Sequence, residues 1–181
     1  MAYTFDEPRI GVLQIANTDV GYTTANGSAL AIPTPPTTLG TIVRAFDPTY
    51  GEGEFICLKG VANTVVGSLV IWDSTTYQTT LCPSTANLAR PVAVSMAATT
   101  AALYGWYQIS GSAVVTKSTN HNIQPNVAVG VLSAGKIATT SSSGNGKEIE
   151  GARFTAAATA ASSATTCVIV IDRPQMQGRT T

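Results

Sequence analysis

One histidine, three separated cysteines and two close carboxylate pairs are the residues of this 181-residue chain whose chemistry could go beyond packing. His121 sits in the polar stretch Ser118-Thr-Asn-His-Asn-Ile-Gln-Pro125. A catalytic base needs an orienting partner and usually a nucleophile within reach. The flanking residues supply neither, so His121 is expected to be an exposed loop histidine. Glu52 with Glu54, and Glu148 with Glu150, are spaced so that a strand puts both carboxylates on one face. Such a pair could hold a hard cation or divide the roles of acid and base. Both pairs lie beside glycines at loop edges, where solvated charge is the ordinary outcome. Cys57, Cys82 and Cys167 are odd in number and lack CxxC spacing, which points to small buried residues in a reducing environment. One histidine and three scattered thiols do not compose a closed zinc site. Gly51-Glu-Gly53 and Gly144-Asn-Gly146 match neither GxxxxGK[ST] nor a GxGxxG between strand and helix. Gly144-Asn145-Gly146 is most simply a hairpin turn that needs positive φ. No GxSxG elbow occurs. The chain is read as non-enzymatic, with no catalytic residue, metal or cofactor.

The aromatic residues are the remaining candidates. Tyr104, Trp106 and Tyr107 fall within four residues. On a strand, Tyr104 and Trp106 share one face and Tyr107 and Ile109 the other. Three roles fit them: the main core, an oligomer interface, since Tyr and Trp dominate hot spots, or a sugar-stacking platform formed with Trp72. The N-terminal apolar residues Ile10, Val12, Leu13, Ile15, Leu30 and Ile32 are interface candidates too, because disordered tails are poor in such residues.

The elements that must position these groups follow from composition and punctuation. Residues 1–48 contain Pro33, Pro35 and Pro36, which forbid a helix and hinder a central strand. They are expected to form an extended N-terminal arm packed on its own body or on a neighbour. Deleting the residues before Pro36 is expected to weaken attachment and leave the body folded. Residues 49–181 show short β-rich runs every eight to twelve residues: EFICLKGVA, GSLVIWD, TYQTTLC, RPVAVSMAA, LYGWYQIS, SAVVTK, NVAVGVL, GKIATT, EGARFTA and TTCVIVID. That pattern predicts an all-β fold, a small β-sandwich or β-barrel-like body of short antiparallel strands. Arg90–Lys117 reads as two or three short strands with tight connections. The run Cys167-Val-Ile-Val-Ile171 predicts a central strand buried on both faces. Ala156–Thr166 reads as a loop or weak strand, and Thr139–Lys147 as a flexible loop.

Charged residues make up 11% of the chain, against about 25% in ordinary domains. Ten basic residues balance ten acidic ones and are scattered singly, so no basic stripe exists to hold nucleic acid or an anionic membrane. No N-terminal leader pattern and no apolar run near the roughly 18 residues of a membrane span is visible. The expected product is a soluble protein made in the cytoplasm. Alanine and threonine supply much of the body, which makes the core thin and favours support from an oligomer or lattice.

Several segments in order carry a family resemblance. EFICLKGVA, then GSLVIWD, then PVAVSMA with YGWYQISGSAVV as a hairpin, and a closing DRP, resemble small head structural or decoration proteins of tailed bacteriophages. The resemblance spans Leu39 to Gly178 and leaves the first 38 residues outside. It implies a β-rich homo-oligomer, often a trimer, that sits on the outer surface of the head shell. The major capsid protein would be its partner, with no nucleic acid and no membrane. The virion would be its location after synthesis in the host cytoplasm. A carbohydrate-binding β-module on the virion, a tail-tube subunit and a head-completion subunit are the alternatives.

Overall fold

Runs of β-branched and aromatic residues broken by Gly, Asn and Pro favour strands over helices, and the computed structural model is all-β. It describes residues 3–6, 13–19, 35, 37–101, 103–155 and 160–178. The strands are β1 (Thr4–Phe5), β2 (Thr18–Asp19), β3 (Ile42–Asp47), β4 (Gly51–Lys59), β5 (Leu69–Trp72), β6 (Thr79–Leu81), β7 (Val92–Ser95), β8 (Tyr104–Thr116), β9 (Ala128–Ser133), β10 (Lys136–Thr139), β11 (Glu148–Phe154) and β12 (Thr166–Met176). One helical turn, α1 (Thr140–Ser143), lies where a flexible loop was expected. The named strands pair antiparallel in the order β1-β3-β4-β8-β12-β11-β9-β10. Strands β2 and β7 join β8, and β5 sits between β6 and β7.

The expected hairpin within YGWYQISGSAVV is not a hairpin. Residues Tyr104 to Thr116 run as one strand of 13 residues. Ser110-Gly111 looks like a turn signal, but the chain uses it as a kink. Gly111 has φ +97°, and the pairing with β4 slips by one residue between Glu54↔Ser110 and Phe55↔Gln108. The kink lets one strand serve two neighbourhoods. Its first half pairs with β4 from Tyr104 to Ser110, and its second half with β12 from Ser110 to Thr116.

Around this shared strand the sheet closes on itself twice. The path β8-β12-β11-β9-β10 returns through a bridge between Lys117 and Ile137, where the Ser118 N–H donates to the Ile137 carbonyl at 2.9 Å. It encloses Ala113, Val115, Val131, Ile137, Phe154 and Ile169. The path β4-β8-β7-β5-β6 returns through a bridge between Lys59 and Gln78 and encloses Ile56, Leu58, Val70, Ala93, Tyr107 and Ile109. The opposite face of β4 and β8 carries a third cluster of Phe55, Cys57 and Trp106 with Val43, Ala45 and Met96. Alternation along β4 therefore feeds two apolar layers, which is why Phe55 through Leu58 are all buried.

Two sequence expectations need correction. In Cys167–Ile171 only Ile169 and Ile171 are buried, and Cys167, Val168 and Val170 are half-buried. β12 lies between β8 and β11, but only its inner face meets the enclosed cluster. The boundary at residue 48 also falls inside a hairpin: β3 pairs with β4 from Ile42↔Ile56 to Asp47↔Gly51. Asp47 caps the turn by accepting the N–H groups of Thr49 and Tyr50 at 2.8 and 3.1 Å.

The far end of β8 is held by a buried cation. Lys117 is 1% exposed, and its Nζ donates to the carbonyls of Ser118, Ser162 and Ala164 at 3.0, 3.3 and 3.1 Å. A buried ammonium must keep its hydrogen bonds, so Lys117 ties the 160–165 loop to the strand.

A Cβ at Gly111 would run into the Glu52 carbonyl and Gly53 Cα, and the backbone there is left-handed. Gly111→Ala should therefore destabilise the fold by about 1–3 kcal/mol. Urea denaturation would read this as a lower midpoint at unchanged slope, and an unshifted midpoint would refute the kink assignment.

Candidate interaction surface

The N-terminal segment covers the third cluster, and it does so with side chains more than with strand pairing. β1 and β2 are two residues each. Tyr3 and Ile15 are 7% and 2% exposed within the cluster, with Phe5 and Leu13 packed against it. The Trp106 indole N–H donates to the Leu13 carbonyl at 2.6 Å, and the Phe5 ring meets Trp106 edge-on at 6.0 Å. Tyr3 stands edge-on to Phe55 at 4.8 Å. Its hydroxyl donates to the Ser112 carbonyl at 2.9 Å and accepts from Gln108 Nε2 at 3.4 Å. Leu13 and Ile15 are thus brought together with Trp106. Ile10, Val12, Leu30 and Ile32 lie outside the described residues.

This geometry corrects the expectation that residues before Pro36 are dispensable to the body. Removing them strips Tyr3 and Ile15 from a core that includes Trp106 and Phe55. It also narrows the roles open to the rings. Trp106 and Tyr107 are fully buried and Tyr104 nearly so, which leaves none of the three a free face for a sugar or a partner. The Tyr107 hydroxyl shares a hydrogen bond with Thr99 at 3.1 Å, and burial raises its pKa. Trp72 stands apart from that trio, half-buried and stacked on Tyr77 at 6.0 Å.

Of the two carboxylate pairs, Glu52 with Glu54 is met by arginines from two other strands. Arg44 of β3 approaches Glu52 and Glu54 at 3.5 Å each, and Arg173 of β12 reaches the other Glu54 oxygen at 3.0 Å. These four side chains line an open cavity of about 320 Å³ with Ser110 and Asp172. Arginines on both sides of Glu54 disfavour a bound cation there. Glu150 accepts from Gln175 Nε2 at 2.8 Å. His121 is half-buried, and among the described residues it has no hydrogen bond or ion pair. Among those residues no group of three His, Cys, Asp or Glu could hold a metal.

The three thiols are free and unreactive by environment. Burial pushes Cys57, Cys82 and Cys167 from an ordinary 9.0 up to about 11, 12 and 11. Cys82 Sγ lies 3.3 Å from Met176 Sδ inside the first cluster.

Sequence reasoning missed a set of exposed apolar residues. Ile42 and Phe46 are 42% and 49% exposed on the outer face of β3, and Val65 and Val66 are 52% and 54% exposed in the turn before β5. The signal was present in Ile-Val-Arg-Ala-Phe, where alternation puts Val43 and Ala45 inward and leaves Ile42 and Phe46 outward. Ile42 borders an apolar groove of about 140 Å³ with Trp72, Pro91, Val92, Ile109 and Pro174.

Two measurements check this account. Trp106→Ala should cost about 3–5 kcal/mol, whereas Trp106→Phe, which keeps a ring but loses the bond to Leu13, should cost about 0.5–1.5 kcal/mol. A Phe variant as stable as the parent would mean that the indole N–H contributes nothing, and equal costs for the two variants would mean that the ring's packing contributes nothing. The raised thiol and tyrosine values also set a pH dependence. Above about pH 9 the unfolded chain loses thiol protons that the folded chain keeps up to about 11–12, so unfolding becomes easier as pH rises through that window. A flat thermal midpoint between pH 8 and 11 would contradict it.

No protein-family model matches the chain, and no curated protein matches it either.

Proposed function

We propose that this chain is a non-enzymatic virion protein of a tailed bacteriophage that decorates and cements the outer surface of the head shell. The observation that carries this reading is the side-chain docking of the N-terminal segment. A segment held by two-residue strands and a plug of Tyr3, Leu13 and Ile15 would find the same contacts in the socket of an identical neighbour, so that exchange leaves every core filled. Identical copies offer identical sockets, so arms can be exchanged between neighbours. Linked copies then hold together without strong pairwise affinity. The order of segments from Leu39 to Gly178 supports the same reading, as does the all-β body.

The mechanism is mechanical. Each copy adds buried area across capsomer boundaries, and about 800 Å² per partner suffices for a specific contact. Ile42, Phe46, Val65 and Val66 are exposed apolar residues available for that contact with the major capsid protein. A trimer is the oligomer this reading favours.

Electron microscopy of particles made with and without the protein tests the assignment. Extra density on the outside of the shell is expected, and particles of identical profile would overturn it. The exchange step has its own test. Ile15→Ala should lower the number of copies retained per shell after a wash while the isolated chain keeps its β-type circular dichroism. Equal retention would remove the arm from the mechanism.

A further inference from the structure

The turn Gly144-Asn145-Gly146 does not close the expected hairpin: β10 and β11 on either side of it both pair antiparallel with β9 and not with each other. Asn145 is exposed and is followed by a glycine, so no side chain shields the next backbone nitrogen. Gly146 adopts φ +75°, and among the described residues its amide N–H donates no hydrogen bond. Asn145 also lines a polar cavity of about 240 Å³ together with Glu148 and Thr140. A carboxamide, an uncommitted amide nitrogen one residue on and a carboxylate beside them are the parts of an intramolecular cyclisation.

We propose that Asn145 is a self-modification site, at which the folded chain converts its own asparagine to aspartate and isoaspartate. The Gly146 nitrogen gives up its proton, with the Glu148 carboxylate as the acceptor, and attacks Cγ of Asn145. A carbon–nitrogen bond forms, the Cγ–Nδ2 bond breaks, and ammonia leaves with that proton. The product is a five-membered imide. Solvent water then adds to either imide carbonyl. Opening on one side yields aspartate, and opening on the other yields isoaspartate, whose main chain runs through the former side chain. Nothing is oxidised or reduced.

The consequence is local and directional. The Gly146 carbonyl accepts the Asn87 N–H at 2.8 Å, and the Lys147 carbonyl accepts the Val131 N–H at 3.0 Å. A Cβ on Gly146 would lie 2.7 Å from Asn87 Oδ1, so the turn packs closely against the Asn87 side chain. Isoaspartate lengthens the backbone by one carbon just before both contacts, and either product adds a negative charge near Glu148. The link between the 82–91 segment and the start of β11 is the contact that loosens.

Trypsin isolates the site, because cleavage after Lys136 and Lys147 releases the peptide 137–147 and leaves the other Asn-Gly, at Asn26, in a different peptide. The full-length folded protein is incubated at mildly alkaline pH beside the free synthetic peptide 137–147. The expected result is a gain of a single mass unit in this peptide from the folded protein, with labelling by an isoaspartyl methyltransferase. Loss of hydrogen-exchange protection at the Asn87 amide should accompany it. Asn145→Gln should abolish all three changes, and Glu148→Gln should slow them without altering the products. If the peptide from the folded protein stays unmodified while the free peptide converts, the fold protects the site and the proposal is wrong. If Glu148→Gln converts at the unaltered rate, Glu148 is not the proton acceptor.

Discussion

Everything in this fold depends on one strand being useful along its whole length. The 13 residues of β8 contribute to three apolar clusters: Trp106 to one, Tyr107 and Ile109 to a second, Ala113 and Val115 to the third. A straight, regularly paired strand offers only two faces. The slip opposite Phe55 and the left-handed Gly111 re-aim the second half, so that its inward residues meet a different partner sheet. A β-bulge gives this outcome: one extra residue, a bend and a stronger local twist. The closed circuits on either side follow from that bend, because each needs β8 as one of its walls.

Much of the body was legible in the residues. The ten β-runs read from β-branched content and turn residues all coincide with strands, although LYGWYQIS and SAVVTK merge into one. The merging was not legible, because Ser110-Gly111 carries the same chemistry whether a chain reverses or bulges. What separates the two outcomes is the register of β4 across the sheet, a non-local property. β3 was missed for a related reason. Its run follows a proline-rich stretch and was absorbed into the arm, and its strand character is enforced by pairing with β4. The half-exposed face of β12 shows the limit of a purely apolar run as a signal. Such a run says that neither face is repelled by a core, and says nothing of how many layers the fold supplies.

The candidate site was less legible than the fold, and the reasons differ by residue. Paired carboxylates at Glu52 and Glu54 invite a catalytic reading until Arg44 and Arg173 arrive from strands that lie ten and 119 residues away from Glu54. The Trp106 ring could be assigned to a strand face but not to a partner, since the carbonyl it meets belongs to Leu13, 93 residues upstream. In both cases one half of an interaction is visible and the other half is delivered by topology. Reading the residues before Pro36 as dispensable to the body failed in the same way, because the socket that receives Tyr3 and Ile15 is built from β3, β4 and β8.

The contrast between two-residue and 13-residue strands has a consequence for how the molecule bears load. A pull along β8 works against many ladder hydrogen bonds at once, in shear, so that they must yield together. A pull on the N-terminal segment meets two short ladders that open one bond after another, and then a plug of side chains that slides out of an apolar socket. The molecule therefore has a stiff axis and a compliant one. In the decorating role proposed above, stretching would therefore displace the described N-terminal residues long before the body deforms.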